Sequence, residues 1–298
     1  MSAGQIYDLG YKRYVGSRRS VGTRWTVIMR HQVASSWKTW WRFKIWLVAA
    51  ALATAVASGV LLLASDKIIK MFVGMSGKAM RIADGLLSLS PAWDCKIGFI
   101  VSLTIGARVI AGDVQTGAFT FYFARSLRPR DYVIGKLVGL IVMMSLVMLG
   151  GPLVLAAVRL GLSESQAELI ALLPVVPKSL AIGVLGTLIY AVVPLGFSAL
   201  ITNRSYAVAL WAAYYLLIGH VALGLAFVTH PVVAALDLPT ALGAVARDLF
   251  DVHLNSFVKL DIPISAALIS IFAHVAAAIG LMFWRVRHAQ QTGVGGAS

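Results

Sequence analysis

The residues that could do chemistry in this chain are few and scattered. Six histidines (His31, His220, His230, His253, His274 and His288) include no H-x-x-x-H pair and no H-E-x-x-H, the spacings that place two imidazoles on one helix face around zinc. Asp237, Asp248, Asp251 and Asp261 fall in one stretch, but their intervals fit no calcium loop. A nucleotide phosphate is cradled by G-x-x-x-x-G-K-[ST]. Gly77-Lys78 and Gly135-Lys136 lack both the upstream glycine and the following Ser or Thr. The chain is therefore expected not to be an enzyme: no catalytic residue, cofactor or metal of its own. Asn203-Arg204-Ser205 matches a glycosylation sequon, and its expected side of the membrane makes the match accidental. Cys95 is the single cysteine, so no internal disulfide can form.

The elements that must position these residues follow from the solvent they meet. Of 298 residues, 59% are hydrophobic and only 13% charged, with mean hydropathy +0.83. A soluble domain carries about a quarter charged residues, so the outer surface here must face hydrocarbon. The expected fold is an all-α polytopic membrane protein with six transmembrane helices. Apolar runs long enough to cross predict spans at 45–64, 90–111, 132–158, 179–201, 206–228 and 262–284. Ser90-Pro91 reads as the start of the second span. Gly150-Gly151-Pro152 predicts a kink in the third, and Pro194 one in the fourth. Pro174 and Pro177 oppose a straight helix before the fourth. The apolar cluster Ile68, Ile69, Met71, Phe72 and Val73 suggests a short surface helix. The 229–261 loop suggests two short helices dipping into the outer interface. Gly135-x-x-x-Gly139 has the small-residue spacing that lets two helices approach.

Three segments result. Residues 1–44 form a basic arm, in which Gly22 to Arg42 reads as an amphipathic helix in the membrane interface. Trp25, Trp37, Trp40 and Trp41 would lie at headgroup depth, with Arg30 on the polar side. Residues 45–284 form the membrane domain. Residues 285–298 form a short tail ending in a Gly-rich, disordered stretch. The net charge of +14 is distributed between apolar runs rather than on one surface, which excludes nucleic acid and fits cytoplasmic loops. With Arg108 and Lys136 counted at their helix ends, one side holds 17 of 26 basic residues and 3 of 12 acids; the other holds 9 of each. The basic side should be cytoplasmic, placing both termini inside and the chain in a bacterial inner membrane as a multi-pass protein. No signal peptide is expected.

The most informative stretch is Gly106 to Leu140. It passes Asp113 and Thr116-Gly117, an aromatic run from Phe119 to Phe123, and a basic turn of Ser126, Leu127, Pro129 and Arg130. It re-enters the membrane at Tyr132 to Lys136. This resembles the permease subunits of type-2 ABC exporters, where an acidic residue, a Gly-Thr-like pair and an "S-x-P-x-x-R"-like turn precede "Y-x-x-G-K" at the third span. Ile6 to Tyr14 is similar to the opening of one bacterial subset of these permeases. The family often has Glu where Asp113 stands, and Gly-Thr order where this chain has Thr116-Gly117.

The resemblance implies a permease subunit that couples ATP hydrolysis in a separate ATPase to export of a substrate, a lipid-like one by preference. Few charges lie mid-span, which disfavours an ion-driven transporter. The implied coupling residues are Arg108, Asp113, Gln115, Thr116, Gly117, Phe121, Arg125, Arg128 and Arg130. The implied partners are two ABC ATPase subunits, which would hold ATP and Mg2+, a second permease copy (homodimer or related heterodimer) and membrane lipids. A plain loop whose arginines meet anionic lipid is the simpler reading of the same stretch. Competing functions are a membrane-embedded lipid-modifying enzyme and a non-transporting membrane scaffold. His220 and His274 fall inside spans, where hydrogen bonding between helices is the ordinary role and a substrate path the other.

Overall fold

A computed structural model of the chain describes residues 21–65, 76–124, 127–251 and 261–292. The segment around Ile6 to Tyr14, the 68–73 cluster, Arg125 and the Gly-rich end lie outside the described residues. The described residues form helices and no strand. Six helical stretches are long and apolar enough to cross a membrane: Lys44–Leu62, Ser90–Gln115, Pro129–Gly161, Gln166–Leu200, Arg204–Val228 and Ile264–Gln291. This is the make-up of a multi-pass membrane protein.

The described residues open with a 3-10 turn, Val21–Thr23, then α1 (Trp25–Lys38), a second 3-10 turn, Trp40–Arg42, and α2 (Lys44–Ser65). The second long helix, α3 (Ser76–Ile105), runs straight through Ser90-Pro91 instead of starting there. Pro91 lacks the N–H that would reach the Leu87 carbonyl. The Ser90 hydroxyl donates to that carbonyl instead, at 3.0 Å, so the helix crosses its proline without an orphaned acceptor. A bend at residues 106–108 separates α3 from α4 (Val109–Gln115), which is followed by α5 (Ala118–Ala124). The third span divides into α6 (Pro129–Met148) and α7 (Gly150–Gly161) at Leu149, where the glycines and Pro152 predict it. Bonds from Leu149 N to the Ser145 carbonyl and from Leu153 N to the Leu149 carbonyl carry the helix across the joint.

The fourth span is α8 (Gln166–Leu172) and α9 (Val175–Leu200), divided at Pro174. Pro177 falls in the first turn of α9, where its missing N–H costs nothing. Helix α9 packs against α3, α4, α6 and α7, the first half of the fifth span and the last helix, and 72% of an apolar 18-residue stretch of the fourth span is buried, against 17% for that of the first span and 22% for that of the fifth. It is therefore the central post. The fifth span is α10 (Arg204–Ala213) and α11 (Gly219–Val228), joined by one π-helical turn, Tyr214–Ile218. That wider turn aims the adjacent Tyr214 and Tyr215 at different neighbours. Tyr215 stacks on Phe99, with ring centroids 3.9 Å apart, and Tyr214 reaches His274 at 2.6 Å.

Two short helices follow, as the loop predicts: a 3-10 stretch Pro231–Leu236 and α12 (Leu238–Leu249). Ala241, Leu242 and Ala246 of α12 are fully buried among α3, α9 and the last helix, α13 (Ile264–Thr292). Leu242 meets Gly186, roughly 16 Å along α9 from Val175. The helix pair thus folds back into the bundle rather than resting on its end. Helix α13 continues without a break past residue 284.

Candidate functional site

The end of the bundle that carries α4 and α5 concentrates the sequence-selected residues. Its geometry begins with the bend after α3. Both Gly106 N and Ala107 N donate to the Ser102 carbonyl, and a methyl on Gly106 would fall 2.8 Å from that oxygen and 3.4 Å from Pro194 Cβ. Glycine permits the tight turn back onto the Ser102 carbonyl. The first amides of α4, Ile110 N and Ala111 N, both donate to Ser198 Oγ at 3.0 Å. A hydroxyl from the central helix therefore caps α4 and fixes its direction.

Thr116-Gly117 ends α4. Gly117 has φ of 67°, the left-handed conformation in which a helix commonly stops. Thr116 Oγ1 donates back to the Gly112 carbonyl at 2.8 Å. The chain then reverses into α5, where Phe119 is buried and Phe121 is 74% exposed. Phe119 lies edge-on to Tyr132, with centroids 5.1 Å apart, and beside Phe123. Tyr122 is half-buried over the same ring. Burial, with the nearby Asp113 charge second, pushes its phenol up to about 12, so it stays a neutral hydroxyl. Helix α6 then starts at Pro129, with the Asp131 carboxylate accepting from Arg128 N–H at 3.2 Å.

An ion pair locks this hairpin to the bundle. Lys136 Nζ lies 2.8 Å from Asp113 Oδ2, with the two side chains 5% and 19% exposed. The Tyr132 hydroxyl donates to the same oxygen at 2.6 Å. Lys136 also donates to Gln32 Oε1 at 3.2 Å, and Gln32 Nε2 donates to Ser36 Oγ at 3.4 Å. One buried network therefore joins α1, α4 and the head of α6. Helix α1 is held there by the Gly135 and Gly139 pair. A methyl on Gly135 would sit 2.5 Å from Ile28 Cβ and 2.7 Å from the Trp25 carbonyl oxygen; one on Gly139 would meet Gln32.

Of the sequence-selected residues, Asp113 is the hub of this network. Gln115 Oε1 accepts from Arg204 N at 3.3 Å, tying α4 to the fifth span. Thr116, Phe121, Arg128 and Arg130 are exposed at or beside the hairpin. Arg108 lies in the bend itself and is half-buried. On α1 and the turn after it, Trp25 is half-buried, while Arg30, Trp37, Trp40 and Trp41 are exposed. Lys44 Nζ lies 5.4 Å and 5.9 Å from the ring centres of Trp37 and Trp40, and the Arg42 guanidinium 5.6 Å from that of Trp41. Reading by residue type passed over the parts played by Tyr132, Lys136 and Gln32. Tyr132 and Lys136 stand four apart, one helical turn, which was the available signal.

Among the described residues no three His, Cys, Asp or Glu side chains gather as a metal site. Asp237 caps α12 instead, accepting from Thr240 N at 3.2 Å and from Thr240 Oγ1. His274 bonds between helices, and His220 is exposed on the fifth span. No family model matches the chain, and no curated protein matches it either.

Proposed function

We propose that this chain is the membrane-spanning permease subunit of an ABC exporter, driven by separate ATPase subunits. The observation that carries this reading is the α4–α5 hairpin. It is short, aromatic at its tip, braced by an ion pair whose lysine is buried, and continuous with the second and third spans. An element held this stiffly passes displacement to the spans instead of absorbing it. Phe121 would enter a groove of the ATPase, with Thr116, Arg128 and Arg130 around it. The hairpin end would face the cytoplasm of a bacterial inner membrane, where the Lys/Arg excess belongs. ATP and Mg2+ would be bound by the ATPase, since this sequence has no phosphate loop. A second permease copy would cover part of the sparsely buried first and fifth spans.

The test is co-expression of the tagged chain with a phosphate-loop ATPase encoded beside it. Stable co-purification and ATP turnover that depends on the chain are expected. Phe121→Asp should abolish both while leaving membrane insertion and thermal midpoint unchanged. Wild-type turnover with Phe121→Asp would remove the docking assignment. External labelling of a tag on the 112–131 segment would remove the orientation.

A further inference from the structure

One carboxylate is held inside the bundle with no cation of the chain beside it. Asp94 lies on α3, in the second span, and is 4% exposed. Its Oδ2 is shielded from water and has no hydrogen-bond partner, the only carboxylate oxygen so placed among the described residues. A methyl built on Gly151 of α7 would lie 3.1 Å from Asp94 Oδ1, from Asp94 Oδ2 and from Thr54 Oγ1 of α2. Three oxygens therefore gather where α2, α3 and α7 pack on one another. Thr54 Oγ1 donates its proton to the Ala50 carbonyl at 2.9 Å, so it has only lone pairs left to offer beside the carboxylate. Thr54 is ten residues past Lys44 and eight before Leu62, the ends of the first span, roughly 15 Å and 12 Å along the helix. The oxygens are thus near the middle of the hydrocarbon.

A carboxylate at that depth is costly unless something neutralises it. The chain supplies nothing: no lysine, arginine or histidine among the described residues stands within ion-pair distance of Asp94. On α2 the one titratable group is Lys44, at its start, and on α7 it is Arg159, eight residues past Gly151, roughly 12 Å along. Arg130, Asp131, Tyr132 and Lys136 of α6 are fifteen or more residues from Gly151, and Lys136 is paired with Asp113. Lys178 of α9 lies over the Phe250 ring and Lys96 of α3 over Trp93. Tyr190 of α9 faces the Tyr215 hydroxyl. Arg42 precedes α2, Arg204 and Tyr206 open α10 and Arg247 and Asp248 close α12; Lys78, Arg81 and Asp84 are ten or more residues back along α3. The neutralising charge has to come from outside the chain. It must be small, because three oxygens at 3.1 Å crowd even a methyl. It must be single, because one carboxylate balances one positive charge.

We propose that Asp94, with Thr54 Oγ1 beside it, binds a small monovalent cation, Na+ or H+, at the junction of the first, second and third spans. This goes beyond the exporter reading and does not need it: the site requires only that the chain spans a membrane. The bound cation neutralises Asp94 and, through Thr54, ties the sparsely buried first span to the bundle.

The experiment uses the full chain in a neutral detergent. Thermal midpoints are measured in choline chloride, KCl and NaCl at pH 8, and in choline chloride at pH 6. In parallel, dicyclohexylcarbodiimide, which attaches to a protonated carboxyl in apolar surroundings, is added, and the adduct on Asp94 is read by peptide mass spectrometry. If the cation is Na+, NaCl but not KCl raises the midpoint by about 3 °C and suppresses the adduct. If it is H+, the three salts act alike, and the midpoint and the adduct both rise from pH 8 to pH 6. Asp94→Asn, which keeps the shape and removes the charge, should lose the response. Thr54→Val, which removes one oxygen, should need about tenfold more cation for the same response; a merely structural threonine would leave that requirement unmoved. Asp248→Asn, on an exposed side chain of α12, should respond as wild type. A response that persists in Asp94→Asn, or no response to Na+ or pH in the wild type, overturns the site. Should Asp94→Asn fold poorly, an unchanged cation requirement in Thr54→Val overturns it instead.

Discussion

Replacing Lys136 with methionine removes the cation that Asp113 faces 2.8 Å away. At that distance, with an effective dielectric of about 20, the pair attract by roughly 6 kcal/mol. Several kcal/mol of desolvation on each ion offset most of this, so the intact pair contributes little net stability. Breaking one side is different. Lys136→Met leaves a carboxylate, 19% exposed, with only the Tyr132 hydroxyl, and should cost about 3 kcal/mol. Asp113→Asn keeps an acceptor for Tyr132 but strands Lys136 against Gln32, and should cost about 2 kcal/mol. The double variant has no buried charge at this point and should cost about 2 kcal/mol in total, a coupling of about 3 kcal/mol. Cys95, the single cysteine, is buried, so a thiol-reactive dye reports unfolding of detergent-solubilised protein directly. Additive costs, with coupling under about 0.5 kcal/mol, would refute the claim that one network joins α1, α4 and α6.

Further substitutions probe the same frame. Gly135→Ala should destabilise by about 2 kcal/mol, because its methyl meets Ile28 and the Trp25 carbonyl; Gly161→Ala, with nothing within 4 Å, should be silent in the same thermal assay. Gly117→Ala forces a left-handed alanine and should cost about 1–2 kcal/mol, read as a fall in the thermal midpoint; on the function proposed, it should also lower ATP turnover by the co-purified ATPase. Trp211→Phe deletes the 2.8 Å donation from indole Nε1 to Ser102 Oγ and should cost about 1 kcal/mol beyond its lost contacts; adding Ser102→Ala should cost no more on that account.

The spans were legible because hydrocarbon imposes length and composition at once, and no local preference competes with that requirement. Boundaries were less so. Ser90-Pro91 has the form of a helix start, yet the same serine also supplies the hydroxyl that a mid-helix proline needs. Only the chain on its N-terminal side distinguishes the two. The site divides the same way. Asp113, Thr116 and Gly117 stood out only through the resemblance of the Gly106 to Leu140 stretch to a permease family. Gln32 did not, because a lone glutamine in a basic arm has no pattern; its role depends on two glycines more than a hundred residues away.

The bundle is joined by polar groups of different strength. At the hairpin end, charges are paired: Asp113 and Lys136, with Tyr132 and Gln32 as supports. Elsewhere the folded-back helices are tied to the fifth and sixth spans by a phenol, an imidazole and a hydroxyl. Tyr214 faces both His274 Nε2, at 2.6 Å, and the Leu236 carbonyl, at 3.1 Å. His274 Nδ1 lies 2.7 Å from the Ser270 carbonyl, and the Tyr214 hydroxyl has a single proton for its two neighbours. Ser270 Oγ adds one more bond, to the Ala235 carbonyl at 2.6 Å. Displacement of the bundle should therefore be taken up at this underdetermined joint, beside the π-helical turn, before the paired charges at the hairpin end yield. A lever driven from the hairpin, on the function proposed, moves as one piece at its input and gives way at its output.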